Sequence, residues 1–216
     1  MTDDDTLGLP PAPDGARITI TVVGYGFEAE WHIIVNSLLL QTDNRWFAHL
    51  INDGPDPRAR LICGSYADRY PEHFAYAETP ERHNNWGHSL RRHGIAATTT
   101  AFWATQNADN YLMPRYVEFV LDAFDRTRAK LVIFPCVHNY ERINRPSDPA
   151  YSVLQVAPKR NRCDAGSLVV TSRIAKRVGW RNLDANSDGD FIEDVMASSI
   201  PPPRCAVLKN VLMVHN

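Results

Sequence analysis

Arg17–Gly24 reads RITITVVG, a β-branched apolar run that stops at a glycine, and a helical pattern follows it almost at once. Such a run is a buried strand. Trp31, Ile34, Val35 and Leu38 then recur at i, i+3, i+4 and i+7, which predicts an amphipathic helix ending near Gln41. The alternation repeats along the chain. Trp46–Ile51 is a strand, broken by Asn52-Asp53-Gly54-Pro55, and Asp56–Tyr70 is a helix. His73–Ala77 is a short strand, Trp86–Ala97 a helix and Thr99–Thr105 a strand. Pro114 opens a helix that runs to about Arg126, at a position where its missing N–H costs nothing, and Leu131–Val137 is a strand. Strands alternating with helices predict an α/β domain with a mostly parallel central sheet flanked by helices.

The pattern loosens after residue 138. Asn139–Pro149 is polar and turn-rich and reads as a loop. Ser167–Thr171 is strand-like, Ser172–Val178 helical, and Asp190–Ser198 a helix stopped by Pro201-Pro202-Pro203. Ala206–Val214 is a last apolar strand running into His215. A single domain over residues 17–216 is expected, preceded by an acidic and then proline-rich stretch, residues 1–16, read as a disordered leader.

Composition narrows the function. A net charge of −2 creates no field to recruit nucleic acid or an anionic membrane. No apolar run approaches the roughly 20 residues a membrane span needs. The acidic N-terminus is the opposite of a signal peptide, so a cytoplasmic protein is expected, free or peripheral at the inner membrane surface. Cys63, Cys136, Cys163 and Cys205 form no C-x-x-C pair, which argues against zinc and for reduced cysteines in or near the core.

In a parallel sheet, ligands bind beyond the carboxyl ends of the strands. The polar residues there are Tyr25, Asp53 and the group Asn107–Asp109. The segment Thr105-Gln-Asn-Ala-Asp-Asn-Tyr-Leu-Met-Pro114 puts a carboxylate at a strand end ahead of a proline-started helix, a setting that suits Mg²⁺ or Mn²⁺. Capping and turning the chain would use the same residues. A second acidic stretch, Asp184–Val195 (DANSDGDFIEDV), has the start of a calcium loop, with Asp184, Asn186, Asp188 and Gly189 in place. Its twelfth position is Val195, which has no oxygen to give, so the stretch argues against calcium.

Taken together, ITVVGYGFEAEWHIIVNSLLLQT, INDGPD, NNWGHSLRRHGI and QNADNYLMP resemble the family-2 glycosyltransferases of the GT-A fold. Ser37, Leu38 and Gln41 match that family's Ser-Leu-x-x-Gln helix end, and Asn52-Asp53-Gly54 its Asp-Asp-Gly turn. Asn85 and Gly87 match an Asn-x-Gly, and Asn107-Ala-Asp109-Asn110 the metal motif with Pro114 at the family spacing. The match is good over residues 17–126 and looser beyond.

The resemblance implies an inverting transfer of a sugar, hexosyl-like, from a nucleotide-diphosphate sugar to an acceptor hydroxyl. Gly24, Tyr25, Asp53, Asn85, Arg91, Asn107 and Asp109 would bind the donor, whose base is expected to be uracil or guanine, with thymine left open. Arg92 competes with Arg91, because the spacing after Gly87 is one residue short; a solvated helix face is the plain alternative for both. Asp109 would hold Mn²⁺ or Mg²⁺, helped by the late His215. Asp188, with Asp190 as the alternate, would be the general base, and Asp164 would face the acceptor. Trp86, Trp103 and Trp180 read as core residues before sugar platforms. The acceptor could be a glycan, a lipid-linked sugar or a small molecule, with part of its site supplied by a partner subunit or a homodimer mate. One departure stands out: Asn107 and Asn110 replace carboxylates, and neutral carbonyl oxygens hold a hard cation less tightly. That keeps open a catalytically degenerate nucleotide-sugar binding protein. A nucleotidyltransferase would want a Gly-rich basic loop, where Phe27 and Glu28 follow Gly26.

Overall fold

The computed structural model describes residues 6–26, 28–139, 151–181, 183–184 and 187–215. Strand β1 (Ile18–Gly24) is buried at every residue and leads into helix α1 (Glu28–Leu39). Then come β2 (Trp46–Asn52), α2 (Pro57–Arg69), β3 (Phe74–Glu78), α3 (His88–Ala97), β4 (Phe102–Asn107), the two-residue β5 (Tyr111–Leu112) and α4 (Tyr116–Thr127). The second half adds β6 (Leu131–Ile133), β7 (Cys136–Asn139), β8 (Tyr151–Leu154), β9 (Leu168–Thr171), α5 (Ser172–Val178), α6 (Ser187–Ala197), β10 (Cys205–Val207) and β11 (Met213–His215).

Seven strands form the main sheet in the order β10-β6-β9-β4-β1-β2-β3. All pairs are parallel except those of β9, which is antiparallel to β4 and β6. This is the expected α/β architecture. Alternate residues of β1 explain its two-sided burial. Ile18, Ile20 and Val22 pack with Trp31, Ile34 and Leu38 of α1 and with Val117, Val120 and Leu121 of α4. On the opposite face Val23 meets Leu90 and Ala97 of α3. Trp103, Trp180 and Phe191 tie α5 and α6 to that face, so Trp103 and Trp180 are core residues as expected.

The helix-end motif has a structural explanation. Gln41 Nε2 donates to the carbonyls of Ser37 and Met113, and its Oε1 accepts from Val117 N. Ser37 Oγ accepts from Leu112 N (3.3 Å). The Ser, the Gln and the proline turn are thus one clamp that fastens the end of α1 to the start of α4.

Three sequence expectations change. The composition of residues 1–16 predicts a disordered leader. From Leu7 onward it packs instead on the sheet: Leu9 is buried with Phe47 and Ile51, and Ala12 N donates to Thr99 Oγ1. Its apolar residues supply the contact area, and its prolines lower the entropy lost on docking. Residues 1–5 lie outside the described residues. Leu131–Val137 and Ala206–Val214, each read as one strand, are each two. Both segments leave the main sheet and enter a smaller one, ordered β5-β11-β7-β8, in which β11 runs parallel to β7 and antiparallel to β5. Pro135 and the Lys209-Asn210 pair mark the switches. Of the expected loop 139–149, residues 140–149 lie outside the described residues, and Asn139 ends β7.

Candidate functional site

The parallel register ends β1, β2 and β4 level with one another, with Gly24 opposite Asn52 and Val23 opposite Asn107. Tyr25, Asp53 and Asp109 therefore meet at one sheet edge, where they line a cavity of about 470 Å³. That volume suits a small ligand. Gly24 is required there by space: a Cβ would stand 2.6 Å from Trp31 Cζ2 and 2.7 Å from Ala108 Cβ.

Asp53 is buried and both its oxygens are in use. Oδ1 accepts from His83 N and Oδ2 from Asn84 N, each at 2.9 Å. It thus fixes the loop 82–87, in which Asn84, Trp86 and Gly87 all have positive φ (53°, 54° and 77°). This loop supplies wall residues that the sequence reading did not assign to the donor. The Arg82 guanidinium lies 3.5 Å above the Tyr25 ring, and Asn84 and Trp86 also border the cavity. Trp86, expected in the core, is 70% exposed at its edge. Asn85 is engaged elsewhere: its Oδ1 accepts from Ser89 N and its Nδ2 donates to Ser89 Oγ, so it braces the first turn of α3.

The structure separates the two neighbouring arginines. Arg92 anchors the backbone at Trp180 and Arg181. Arg91 is 3% exposed, which rules out the plain alternative of a solvated helix face. Its guanidinium donates to Asn107 Oδ1 and to the Trp86 carbonyl, both at 2.7 Å, while Nε has no hydrogen-bond partner. Burial pushes its pKa down, against the attraction of Asp188 and Asp164. Burial, and then the Arg91 charge, push His88 down to about 4. His88 therefore stays neutral and accepts from Trp180 Nε1 (3.2 Å).

Asp188 sits in the first turn of α6, and its Oδ2 accepts weakly from Ala165 N (3.3 Å). Burial raises its pKa; the Arg91 charge opposes this and the Asp164 carboxylate adds to it. Asp190 faces a different environment, an ion pair with Arg160 that Glu193 shares. A Cβ on Gly189 would come within 2.7 Å of Arg160 Cγ, so that glycine serves the crossing of Arg160 over α6. Asn186, part of the calcium-like stretch, lies outside the described residues.

A divalent cation finds little at the Asn107 motif. Asn107 Oδ1 already faces a guanidinium, and Asn110 turns inward to donate to Gln106 Oε1 and Met213 Sδ. Within the motif, Asp109 is the carboxylate that borders the cavity. The β5–β11 ladder brings His215 toward this turn. Among the described residues, however, His215 clusters with Asp164 and with His138, which the sequence reading did not single out. Only the pairing of β7 with β11, strands that were not foreseen as separate, reveals His138.

The sequence profile described as "Glycosyl transferase family 2" matches residues 25–168. A search of curated proteins found no match. Among solved structures, that of S. aureus TarS superposes with a TM-score of 0.72 at 13% identity, over 93% of this chain and 36% of that one. TarS 1-349 in complex with UDP-GlcNAc gives 0.70 at 12% identity, over 92% and 58%. The mannosyltransferase PcManGT from Pyrobaculum calidifontis, in complex with GDP-Man and Mn²⁺, gives 0.69 at 13% identity, over 95% and 58%. These likenesses show a shared fold, and the chain spans 36 to 58% of the length of these structures.

Proposed function

Because the chain belongs to glycosyl transferase family 2 and is thereby a glycosyltransferase, we propose that it moves a sugar from a nucleotide-diphosphate sugar to an acceptor hydroxyl with inversion, using Asp188 as general base. The observation that carries this reading is the position of Arg91. The buried guanidinium touches Asn107 at the cavity and feels the carboxylates of Asp188 and Asp164 on its other side. Donor pocket and candidate base are therefore adjacent.

The chemistry follows from that order. Gly24, Tyr25, Asp53 and Asp109 border the space for the donor, with Arg82 stacked on Tyr25 as part of the same wall. Arg91 and Asn107 offer positive charge and amide dipole to the departing diphosphate. A sugar hydroxyl is a poor nucleophile until a carboxylate removes its proton as the new bond forms. Asp188, with its raised pKa and no arginine salt bridge among the described residues, suits that task better than Asp190, whose charge Arg160 already holds. Asp164 lies beside it on the acceptor side. Attack from the face opposite the leaving diphosphate inverts the anomeric centre. For a Mn²⁺ or Mg²⁺ brought in with the donor's phosphates the supporting residue is Asp109 at the cavity, while His215 is directed toward Asp164 instead. A bound cation there would neutralise charge on the leaving group. No helix among the described residues is long and apolar enough to cross a membrane.

Calorimetric titration with UDP, GDP and dTDP, with and without Mn²⁺, tests the donor assignment. UDP or GDP is expected to bind, since structural neighbours were solved with UDP-GlcNAc and GDP-Man. Failure of all three in every condition would remove the donor reading. The Arg91–Asn107 pairing favours one second reading, a binding protein without turnover. That reading requires nucleotide binding with no transfer, and transfer that appears only in Asn107→Asp.

Trp86 provides a cleaner probe of the cavity's edge. It is exposed, so Trp86→Ala should change stability by no more than about 0.5 kcal/mol. Loss of an aromatic platform should weaken nucleotide-sugar binding by roughly tenfold, of the order an aromatic contact supplies. Unchanged affinity by calorimetry would place Trp86 outside the ligand's reach.

A further inference from the structure

The residues that stand where a cation is expected are occupied otherwise, while a different set of cation-seeking groups has been brought together. Parallel pairing of β7 with β11 sets His138 directly opposite His215. Their rings stack with centroids 4.3 Å apart and planes inclined by 25°. The third group is Asp164, at the turn before β9. Its Oδ1 is fixed by Gly166 N (2.7 Å), which leaves Oδ2 toward His215 Nε2 at 4.0 Å. One donor atom from each of the three residues lies within 4.8 Å of the others. The 4.0 Å separation is too long for a hydrogen bond. Both His215 nitrogens are thus buried without a partner, although each ring nitrogen is a donor or an acceptor that burial should penalise.

We propose that His138, Asp164 and His215 form a site for a borderline first-row divalent cation, built without the Asn107 motif. The geometry favours it because each ligand is already held: two by adjacent paired strands and one by its own turn. An ion about 2.0–2.2 Å from each donor needs the donors to be no more than about 4.3 Å apart, a contraction that small side-chain rotations supply. Two imidazoles and one carboxylate select Zn²⁺, Co²⁺, Fe²⁺ or Mn²⁺ over Mg²⁺ and Ca²⁺, which prefer all-oxygen sets. Three protein ligands also leave a coordination position open. On this assignment Asp164 stands at the acceptor end as a metal ligand rather than as a direct contact to a sugar hydroxyl. The proposal rests on the glycosyltransferase reading only for its use, not for its existence.

The test uses the full chain, stripped with chelator and free of nucleotide. Co²⁺ is titrated by visible absorption; Zn²⁺, Mn²⁺ and Mg²⁺ are titrated by calorimetry. One equivalent of Co²⁺ with a visible d–d spectrum is expected, with Zn²⁺ binding tighter than Mn²⁺ and Mg²⁺ weakest. His138→Gln and Asp164→Asn should each weaken binding at least tenfold, and Asp109→Asn should leave it in place. No cobalt spectrum, binding indifferent to His138→Gln, or binding abolished by Asp109→Asn would each overturn the proposal. Should His138→Gln not fold, paramagnetic broadening in the wild-type protein decides instead. The rings of His138 and His215 must broaden before those of the other six among the eight histidines; any other order overturns the site. A separate titration with UDP, GDP and dTDP keeps the two readings apart. Cobalt binding at His138 without nucleotide binding upholds the metal site and removes the donor reading, and the reverse removes the metal site alone.

Discussion

Asp188→Asn should lose roughly 10²- to 10⁴-fold in kcat, the range a positioned general base contributes, while nucleotide binding stays within a few-fold of wild type. The change is nearly isosteric, and an amide oxygen can still accept from Ala165 N. Stability should move the other way from activity. The folded-state pKa of Asp188 is raised above its ordinary value of 3.8, chiefly by burial. The folded state therefore holds its proton more tightly than the unfolded chain does. Stability falls as pH rises from about 3.8 through the raised value, and the ionised carboxylate remains a cost above it. The amide carries no such cost, so Asp188→Asn should melt no lower than wild type at neutral pH. The wild-type rate should fall on acidification through a pKa above that of an ordinary carboxyl, because the base must be ionised. Turnover by Asp188→Asn at the wild-type rate would end the base assignment. A lower melting temperature together with lost nucleotide binding would instead mark Asp188 as structural.

Asp53→Asn should be costly for a different reason. Its two carboxylate oxygens receive two backbone N–H groups, from His83 and Asn84. The asparagine keeps one acceptor and turns an NH₂ group toward the other donor, which leaves a buried N–H unmet. Hydrogen bonds to a charged group are worth about 1.5–3 kcal/mol each, so a loss of about 2–4 kcal/mol is expected, read as a melting temperature lower by roughly 5–15 °C. The loop 82–87 should loosen with it. Because Arg82, Asn84 and Trp86 wall the cavity, nucleotide affinity should drop at least tenfold. A variant that melts like wild type but no longer binds nucleotide would show that Asp53 touches the donor and that the loop is held by something else.

The first half of the fold was legible because its signals are local. β1, β2 and β4 are buried runs, and α1 carries its apolar stripe at helical spacing, so burial and periodicity agree. The gathering of Tyr25, Asp53 and Asp109 at one edge followed from parallel strands ending level. What escaped was set by partners distant in sequence. Arg91 could not be told from Arg92, because nothing near them in the chain shows that Asn107, sixteen residues on from Arg91, takes its guanidinium. Trp86 looked like core because exposure of an aromatic depends on a loop that Asp53 holds from another strand. His138 carried no signal at all until β11 was seen to lie beside β7. The breaks at Pro135 and at Lys209-Asn210 were visible as residues, but the sheet that each segment enters next was not.

That small sheet has a consequence for how the site comes into being. Its strand β11 is three residues long, yet it is the member that joins β5 to β7. The parallel βαβ units of the first half can assemble from neighbours in sequence. β11 must instead close loops reaching back about 75 to 100 residues, to Cys136 and Leu112, and closures of that length come late. Few hydrogen bonds hold it once it is there, so it belongs to the part of the molecule that opens first under local fluctuation. The cavity at the ends of β1, β2 and β4 can therefore be complete while the β11 end is still fraying, and the two halves of the candidate site have separate thresholds of order.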